Sequence, residues 1–350
     1  MNWDRVIATD LELEGYRADD DDSTLESRLA ALIDQQYDTW PLLRAGIDAF
    51  AKIETRRVRV EESEVVVQHN PHRVRSTSAQ VDKESIRNRR CFLCPDSLPV
   101  EEKGIAYGDE LVILCNPFPV LERHLSIVHR EHIPQQIQGN VETLLSLAQH
   151  LGSSYFVLYN GPECGASAPD HLHFQACSRE LLPIEKNLFD DDPAMAEDCS
   201  YCDETARSMF ELFTLGGCGR SVVVFRGGNQ VEVSKWVYEV INELALQQDK
   251  AEPLINIVCT YDPKLWTVYL FPRSKHRPAS FYDEGEKRLV VSPGAIDMAG
   301  VVVIPERESY EKIDGRLLTA IFSEVSMNTD VVNDLVDGIC SIPGVEERGW

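Results

Sequence analysis

The stretch Gly165-Ala166-Ser167-Ala168-Pro169-Asp170-His171-Leu172-His173-Phe174-Gln175-Ala176 decides how the rest of the chain is read. His171, His173 and Gln175 alternate with apolar Leu172, Phe174 and Ala176. In a strand, residues i, i+2 and i+4 share one face. The alternation therefore predicts a strand over His171–Cys177, with two imidazoles and a carboxamide in a row and the apolar set in a core. The small, turn-forming run from Gly165 to Pro169 lets backbone approach a ligand closely. Such an arrangement presents a histidine nucleophile to a phosphate. The plainer alternative is a strand with two incidental histidines. The ordered His-x-His-x-Gln directly after a Gly-Ala-Ser turn speaks against it.

This segment resembles the nucleotidyltransferase branch of the histidine-triad (HIT) superfamily, which holds galactose-1-phosphate uridylyltransferases, dinucleoside-polyphosphate phosphorylases and GDP-hexose phosphorylases. Members carry His-x-His-x-Gln where HIT hydrolases carry a third histidine. The run His171 to Ala176 looks most like the GDP-hexose phosphorylases, and Gly165-Ala166-Ser167 is closer to the dinucleoside-polyphosphate enzymes. The whole chain also resembles a bacterial DUF4922-type group within that branch. The resemblance spans roughly residues 60–310 and is stronger in the first half. It implies an α+β fold of two HIT-like halves, each an antiparallel sheet with flanking helices.

The pattern along the chain agrees with that expectation. Residues 1–55 read as an N-terminal helical segment, 56–185 as the catalytic HIT-like half, 186–205 as a polar connector, and 206–350 as a second half with C-terminal helices. In the first half, Val65–Val67, Leu111–Cys115, Leu125–His129 and Tyr155–Tyr159 are strand candidates, and Val141–Leu151 has helical periodicity. In the second, Ser221–Phe225, Ile255–Thr260, Trp266–Phe271, Arg288–Val291 and Val301–Ile304 read as strands. Val233–Gln248, Ser309–Ser326 and Asp330–Cys340 read as helices. No second His-x-His occurs, so one half carries the chemistry.

With 350 residues, the chain can bury one large or two medium cores. Its net charge of −24 argues against broad nucleic-acid binding, which needs a basic footprint. A small phosphorylated ligand needs only a local cationic pocket. No apolar run approaches membrane-spanning length. The start, Met1-Asn2-Trp3-Asp4-Arg5, shows no secretory pattern. Ten cysteines then read as reduced thiols or metal ligands in a cytoplasmic protein. The oligomeric state is left open, a homodimer included.

Transfer of a nucleoside monophosphate needs a group that is both a good nucleophile and a good leaving group at neutral pH. Neutral imidazole is both. By the resemblance, His173 is that nucleophile, His171 its neighbour in the catalytic motif, and Gln175 a hydrogen-bond partner of a non-bridging phosphate oxygen. Asn70-Pro71-His72-Arg73 resembles the family's Asn-Pro-x-Arg element. It puts Asn70, Arg73 and Arg75 beside phosphate and ribose, where arginine offers bidentate recognition. Asn160, Gly161 and Ser167 are further pocket candidates. The loop Phe271–Arg277 resembles one brought over the second substrate, with Arg273 and Lys275 as contacts.

Cys91-x-x-Cys94 has metal-ligand spacing. A zinc site like that of the uridylyltransferases would combine Cys91, Cys94, His132 (or His129) and His171. A four-cysteine site with Cys199 and Cys202, or two pairs of reduced thiols, are the alternatives. The leading functional reading is a nucleotidyltransferase or phosphorylase for a nucleoside-diphosphate sugar, GDP-hexose favoured. Phosphate or a sugar 1-phosphate would be its acceptor. A dinucleoside-polyphosphate phosphorylase is one alternative. A non-catalytic nucleotide-binding regulatory protein is another, since the acidic Asp170 ahead of the motif could repel phosphate.

Overall fold

The computed structural model describes residues 2–14, 16, 24–74, 83–179, 182–189, 196–202 and 210–341. Two antiparallel strands, β1 (Glu54–Val60) and β2 (Ser63–His69), come first. Ten more form one sheet: β3 (Gly104–Tyr107), β4 (Leu111–Cys115), β5 (Leu125–His129), β6 (Tyr155–Asn160), β7 (His173–Ser178), β8 (Ala196–Cys202), β9 (Phe210–Leu215), β10 (Val223–Gly227), β11 (Ile255–Asp262) and β12 (Leu265–Pro272). The last strand, β13 (Val301–Ile304), runs parallel to β2 and completes a three-stranded sheet β1-β2-β13.

The large sheet has the order β3-β4-β5-β7-β6-β11-β12-β10-β9-β8. Every adjacent pair is antiparallel. From either edge inward the connections repeat: β3-β4-β5-β7-β6 on one side, β8-β9-β10-β12-β11 on the other. The α+β architecture of two antiparallel halves with flanking helices is thus borne out. The two half-sheets fuse where β6 pairs with β11, Asn160 opposite Asn256.

The central strands are largely buried, β4 and β6 at every position. That is the pattern of strands covered on both faces. One face is covered by helices α1 (Leu25–Thr39), α4 (Val141–Leu151), α6 (Gln230–Gln248) and α10 (Thr329–Cys340). α4 buries Val141, Leu144, Leu145, Leu147 and Leu151, each worth about 1.5–3 kcal/mol when fully taken from water. The other face is covered by the small sheet with α7 (Ala295–Met298) and α9 (Gly315–Val325). Helices α2 (Pro41–Phe50), α3 (Lys83–Asn88), α5 (Pro183–Phe189) and α8 (Arg307–Lys312) are the other α-helices among the described residues.

Several expectations change. Residues 2–14 hold only a short 3-10 turn at Asp10–Glu12, and the helical segment begins at α1. Strand β1 adds to the expected strands; three arginines interrupt its apolar pattern. Arg288–Val291 is not a strand. The expected helix Ser309–Ser326 is two helices, divided where the Asp314 side chain caps α9 by accepting from the Leu317 N–H. The span 186–205 is not only a connector: α5 reaches Phe189, and β8 forms the far edge of the sheet. Other parts of that span lie outside the described residues.

Candidate active site

Strands β6 and β7 stop pairing at Leu158 opposite Gln175 and then part around residues 161–172. The matching strands of the second half, β11 and β12, are joined by residues 263–264 alone. The predicted strand over His171 starts two residues later, at His173. His171 lies in the loop, so the expected row of three polar side chains on one strand is reduced to His173 and Gln175. The Gln135 side chain fills the gap between the parting strands. It donates to Asn160 O (2.9 Å) and His173 O (3.0 Å) and accepts from His173 N–H (2.8 Å).

His173 is buried, and its Nδ1 lies 2.8 Å from His171 O. A carbonyl can only accept, so Nδ1 carries the proton and Nε2 keeps its lone pair. Burial pulls the His173 pKa below the ordinary histidine value, which keeps the ring neutral at neutral pH. Gln175 Oε1 is 2.8 Å from His124 Nε2, and His124 Nδ1 accepts from the Val120 N–H at 3.4 Å. His124 is therefore a donor at Nε2, and the Gln175 amide turns its NH2 away from it. Burial, with the nearby Arg73 charge, holds the His124 pKa down to about 3.

His173 and Gln175 form part of the wall of a cleft of about 1170 Å³. Arg73, Arg89, Asn116, Ser167, His276 and Arg277 also line it. Arg73 donates to Phe118 O (2.9 Å) and, although burial lowers its pKa to about 10, stays cationic at neutral pH. The loop apposition is close. Gly165 has φ +100°, and a Cβ on it would meet Gly294 Cα at 3.0 Å. Only glycine adopts that backbone without strain.

Other expected contacts are placed elsewhere. Asn70 does not line the cleft: its buried amide donates to Gln68 Oε1 (3.2 Å) and Pro119 O (3.0 Å), anchoring the loop that carries Arg73. Gly161 is packed on β11, where a Cβ would meet Ile255 O at 2.8 Å. Asn160 lines the cleft, but its Oδ1 is occupied by Asn256 Nδ2 and Ala295 N, both at 2.8 Å. Arg273 is fully buried and donates to Asn256 Oδ1 and to the carbonyls of Val325, Pro293, Lys275 and His276. It is an internal pin directly after β12, its guanidinium taken up by acceptors of its own fold, and the loop it holds presents His276 and Arg277 instead. Lys275 pairs with Glu324 (3.2 Å). Arg75 lies outside the described residues.

Cys91, Cys94, His132 and His171 come together, with their ligand atoms all within 4.8 Å of one another. Cys91 Sγ and His171 Nδ1 are 3.3 Å apart, as are Cys94 Sγ and His132 Nδ1. His171 Nε2–H donates to His129 O (2.7 Å), leaving Nδ1 free as a ligand. His129 enters through its backbone and is not part of the donor set. The outward nitrogen of His132 faces Asp170 at 3.6 Å. Histidines that ligate metals almost always have such a partner on the second nitrogen. Two thiols and two neutral imidazoles form a donor set suited to a tetrahedral divalent ion. Asp170 also pairs with Arg89 (2.8 Å), so its charge is taken up beside the cluster. Strand β8, which carries Cys199 and Cys202, is at the opposite edge of the sheet from β3; those two side chains lie outside the described residues.

Three residues of the site carry no signal in the sequence pattern. Gln135 sits in a loop, Asn116 in an ordinary turn, and Glu102 in a charged run. His124, directly before β5, could have been noticed as a histidine flanking a buried strand that neighbours the motif strand.

Residues 32–178 match the family model described as a domain of unknown function, DUF4922. Residues 205–345 match the GDPGP1-like, C-terminal domain. The resemblance read from the His-x-His-x-Gln segment is thereby borne out: the first part of the chain matches the DUF4922 model and the second the GDPGP1-like C-terminal model. A search of curated proteins finds no match. Among solved structures, yeast Ap4A phosphorylase Apa2 aligns with a TM-score of 0.56 at 17% identity, over 85% of this chain and 97% of that chain. The same yeast enzyme in complex with Ap4A aligns with a TM-score of 0.54 at 16% identity, over 85% and 97%. This likeness shows that the fold is shared.

Proposed function

We propose that this enzyme is a nucleotidyl phosphorylase that works through a nucleotidyl-His173 intermediate. One observation carries the reading: a buried, neutral histidine at the cleft wall with its Nδ1 proton tied to a backbone carbonyl and its Nε2 lone pair left for a ligand. In the first step Nε2 attacks the phosphorus of a nucleoside-diphosphate sugar. An N–P bond forms, the phosphoanhydride bond breaks, and sugar 1-phosphate leaves. In the second step an oxygen of inorganic phosphate attacks, the N–P bond breaks, and a nucleoside diphosphate leaves.

The surrounding groups have matching tasks. Gln175, turned by His124, offers N–H donors to the non-bridging oxygens. Arg73 and Arg277 supply positive charge, which counts for more in a site closed to water. Ser167 in the loop before β7 is a further donor. The engagement of Asp170 by Arg89 and His132 removes the repulsion that would favour a non-catalytic binding protein. Gln175 is neutral and cannot serve as the base a third histidine would be, which favours a phosphate acceptor over water.

GDP-hexose is the substrate we favour, in keeping with the GDPGP1-like C-terminal match. The fold shared with yeast Ap4A phosphorylase keeps a dinucleoside polyphosphate as the second reading. We assign the metal as zinc, held by Cys91, Cys94, His132 and His171. It would supply a structural clasp that fixes His171 and so the carbonyl that orients His173. Among the described residues no helix is long and apolar enough to cross a membrane, and the described cysteines are free thiols, which supports a cytoplasmic enzyme.

The deciding experiment incubates the protein with a panel of nucleoside-diphosphate sugars and dinucleoside polyphosphates, with and without phosphate. Cleavage should be slow without phosphate and strongly accelerated with it, yielding a nucleoside diphosphate. Equal rates yielding only monophosphate would make this a hydrolase.

A further inference from the structure

The cleft has an apolar end. Trp40, Leu93, Leu98, Pro99 and Leu114 line it, and one acidic residue, Glu102, stands among them. Glu102 is 7% exposed. Among the described residues its carboxyl makes no hydrogen bond or ion pair. Arg5, whose charge reaches it, is hydrogen-bonded to the carbonyls of Pro95, Leu98 and Pro99. A buried carboxyl without partners is costly, and a structural role would have supplied them. An apolar slot with a single polar group is the usual form of a site for a flat, mostly apolar ring with a hydrogen-bonding edge.

The slot lies at a suitable distance from the chemistry. Leu114 on β4 pairs with Ser126 on β5, which pairs with Gln175 on β7. Two strand spacings separate them, about 10 Å. A nucleotide with its phosphate at His173 and Gln175 therefore brings its base to the Glu102 end.

We propose that Glu102 selects guanine, its carboxylate accepting hydrogen bonds from N1–H and the exocyclic N2 amino group. The proposal rests on the nucleotidyl phosphorylase reading and names the base of its substrate. Of the common bases, only guanine places two donors side by side on its pairing edge. Adenine and cytosine offer one donor beside an acceptor, and uracil flanks its single N–H with two carbonyls. An ionised carboxylate thus gains two charge-assisted bonds from guanine alone. Burial raises the Glu102 pKa in the empty slot, so guanine binding must release that proton and GDP should bind more tightly as pH rises; a Glu102 that keeps its proton would instead suit adenine, and that is the rival outcome.

The test is calorimetric titration of the wild type, Glu102→Gln and Glu102→Ala with GDP, IDP and ADP. The wild type should prefer GDP to ADP, and IDP, which lacks the N2 amino group, should bind about 10-fold more weakly than GDP. Glu102→Gln should weaken GDP by about 10- to 100-fold. It should hold or improve ADP, because a carboxamide pairs with the donor–acceptor edge of adenine as glutamine does in DNA readout. A narrowed or reversed preference cannot arise from a misfolded variant. Glu102→Ala should weaken GDP without helping ADP. Equal GDP and ADP affinity, an ADP preference in the wild type, or an equal loss of both in Glu102→Gln would overturn the proposal. Phosphorolysis of GDP-hexose is measured alongside. Glu102-dependent GDP binding without turnover would strike the phosphorylase reading alone, and turnover indifferent to the base would strike Glu102 alone.

Discussion

Replacing Gln135 by leucine should disable the site from a distance. The Gln135 amide acts as the rung missing between β6 and β7. It is 1% exposed and makes three hydrogen bonds to the backbone of Asn160 and His173. Leucine fills the same space but leaves one N–H and two carbonyls without those partners. At about 1–3 kcal/mol for each buried group left unsatisfied, the loss is about 3–9 kcal/mol. Water entering from the cleft and the added apolar burial offset part of it, so a net loss of about 3 kcal/mol is expected. The strain falls on the first residue of β7, His173, the proposed nucleophile. A displacement of about 1 Å there costs on the order of 100-fold in rate. Urea unfolding measures the first quantity, and single-turnover labelling of the protein by nucleotide measures the second. Gln135→Glu, which keeps the acceptor for His173 N–H and loses both donors, should fall between. Unchanged stability would refute the hydrogen-bond accounting. A wild-type labelling rate in a destabilised variant would show that Gln135 braces the strand without positioning His173.

Three further outcomes are expected. His173→Asn should abolish labelling and lower turnover by orders of magnitude, and label on the wild type should survive base and be lost in acid, as a phosphoramidate is; normal turnover in that variant would remove the covalent mechanism. Metal analysis should find about one zinc per chain, lost on Cys91→Ser with Cys94→Ser and retained on Cys199→Ser, with chelation lowering the unfolding temperature before the chemical rate. The Glu102 carboxyl pKa is raised by burial from 4.5 to about 8, so between those values the folded state holds a proton the unfolded chain has lost. Ligand-free stability should therefore fall as pH rises through that window, and Glu102→Gln should flatten the fall; an identical pH profile would show the carboxyl to be solvated.

The reach of the sequence had a physical limit. Strand β4 was legible because both faces are buried and its apolar run is unbroken, and β5, β11 and β12 because isolated polar residues alone interrupt their mostly buried apolar runs. The Cys91, Cys94, His132 and His171 cluster was legible as donor types, because Cys-x-x-Cys spacing and the motif histidine carry their chemistry in their identity. Arg273 was misread because a charged residue at the end of a strand looks the same whether its acceptors are phosphate oxygens or five carbonyl-type oxygens of its own fold. Only the geometry of Val325, Pro293 and Asn256 around it separates the two. Gln135 and His124 were missed for the converse reason. Their roles are to complete or orient another residue, and no spacing rule links position 135 to 173 or 124 to 175.

The repeated topology gives a reason for the cleft, and with it the proposed chemistry, to lie in one half. Both halves offer the same five strands and one helix, yet β6 and β7 part around residues 161–172 while β11 and β12 close with residues 263–264. A tight hairpin satisfies its own backbone and leaves no gap. A parted pair exposes peptide groups that something must satisfy, and here Gln135 does so on one side while the other side opens to the cleft. The same opening admits the Gly165–Gly294 contact, through which the long loop after β12 reaches across the fused sheet. The second half therefore contributes His276 and Arg277 to a cleft whose proposed nucleophile, His173, belongs to the first. Closing residues 161–172 to a short turn should keep the sheet and remove the cleft, because the sheet depends on the β6–β11 pairing and the cleft on the parting of β6 from β7.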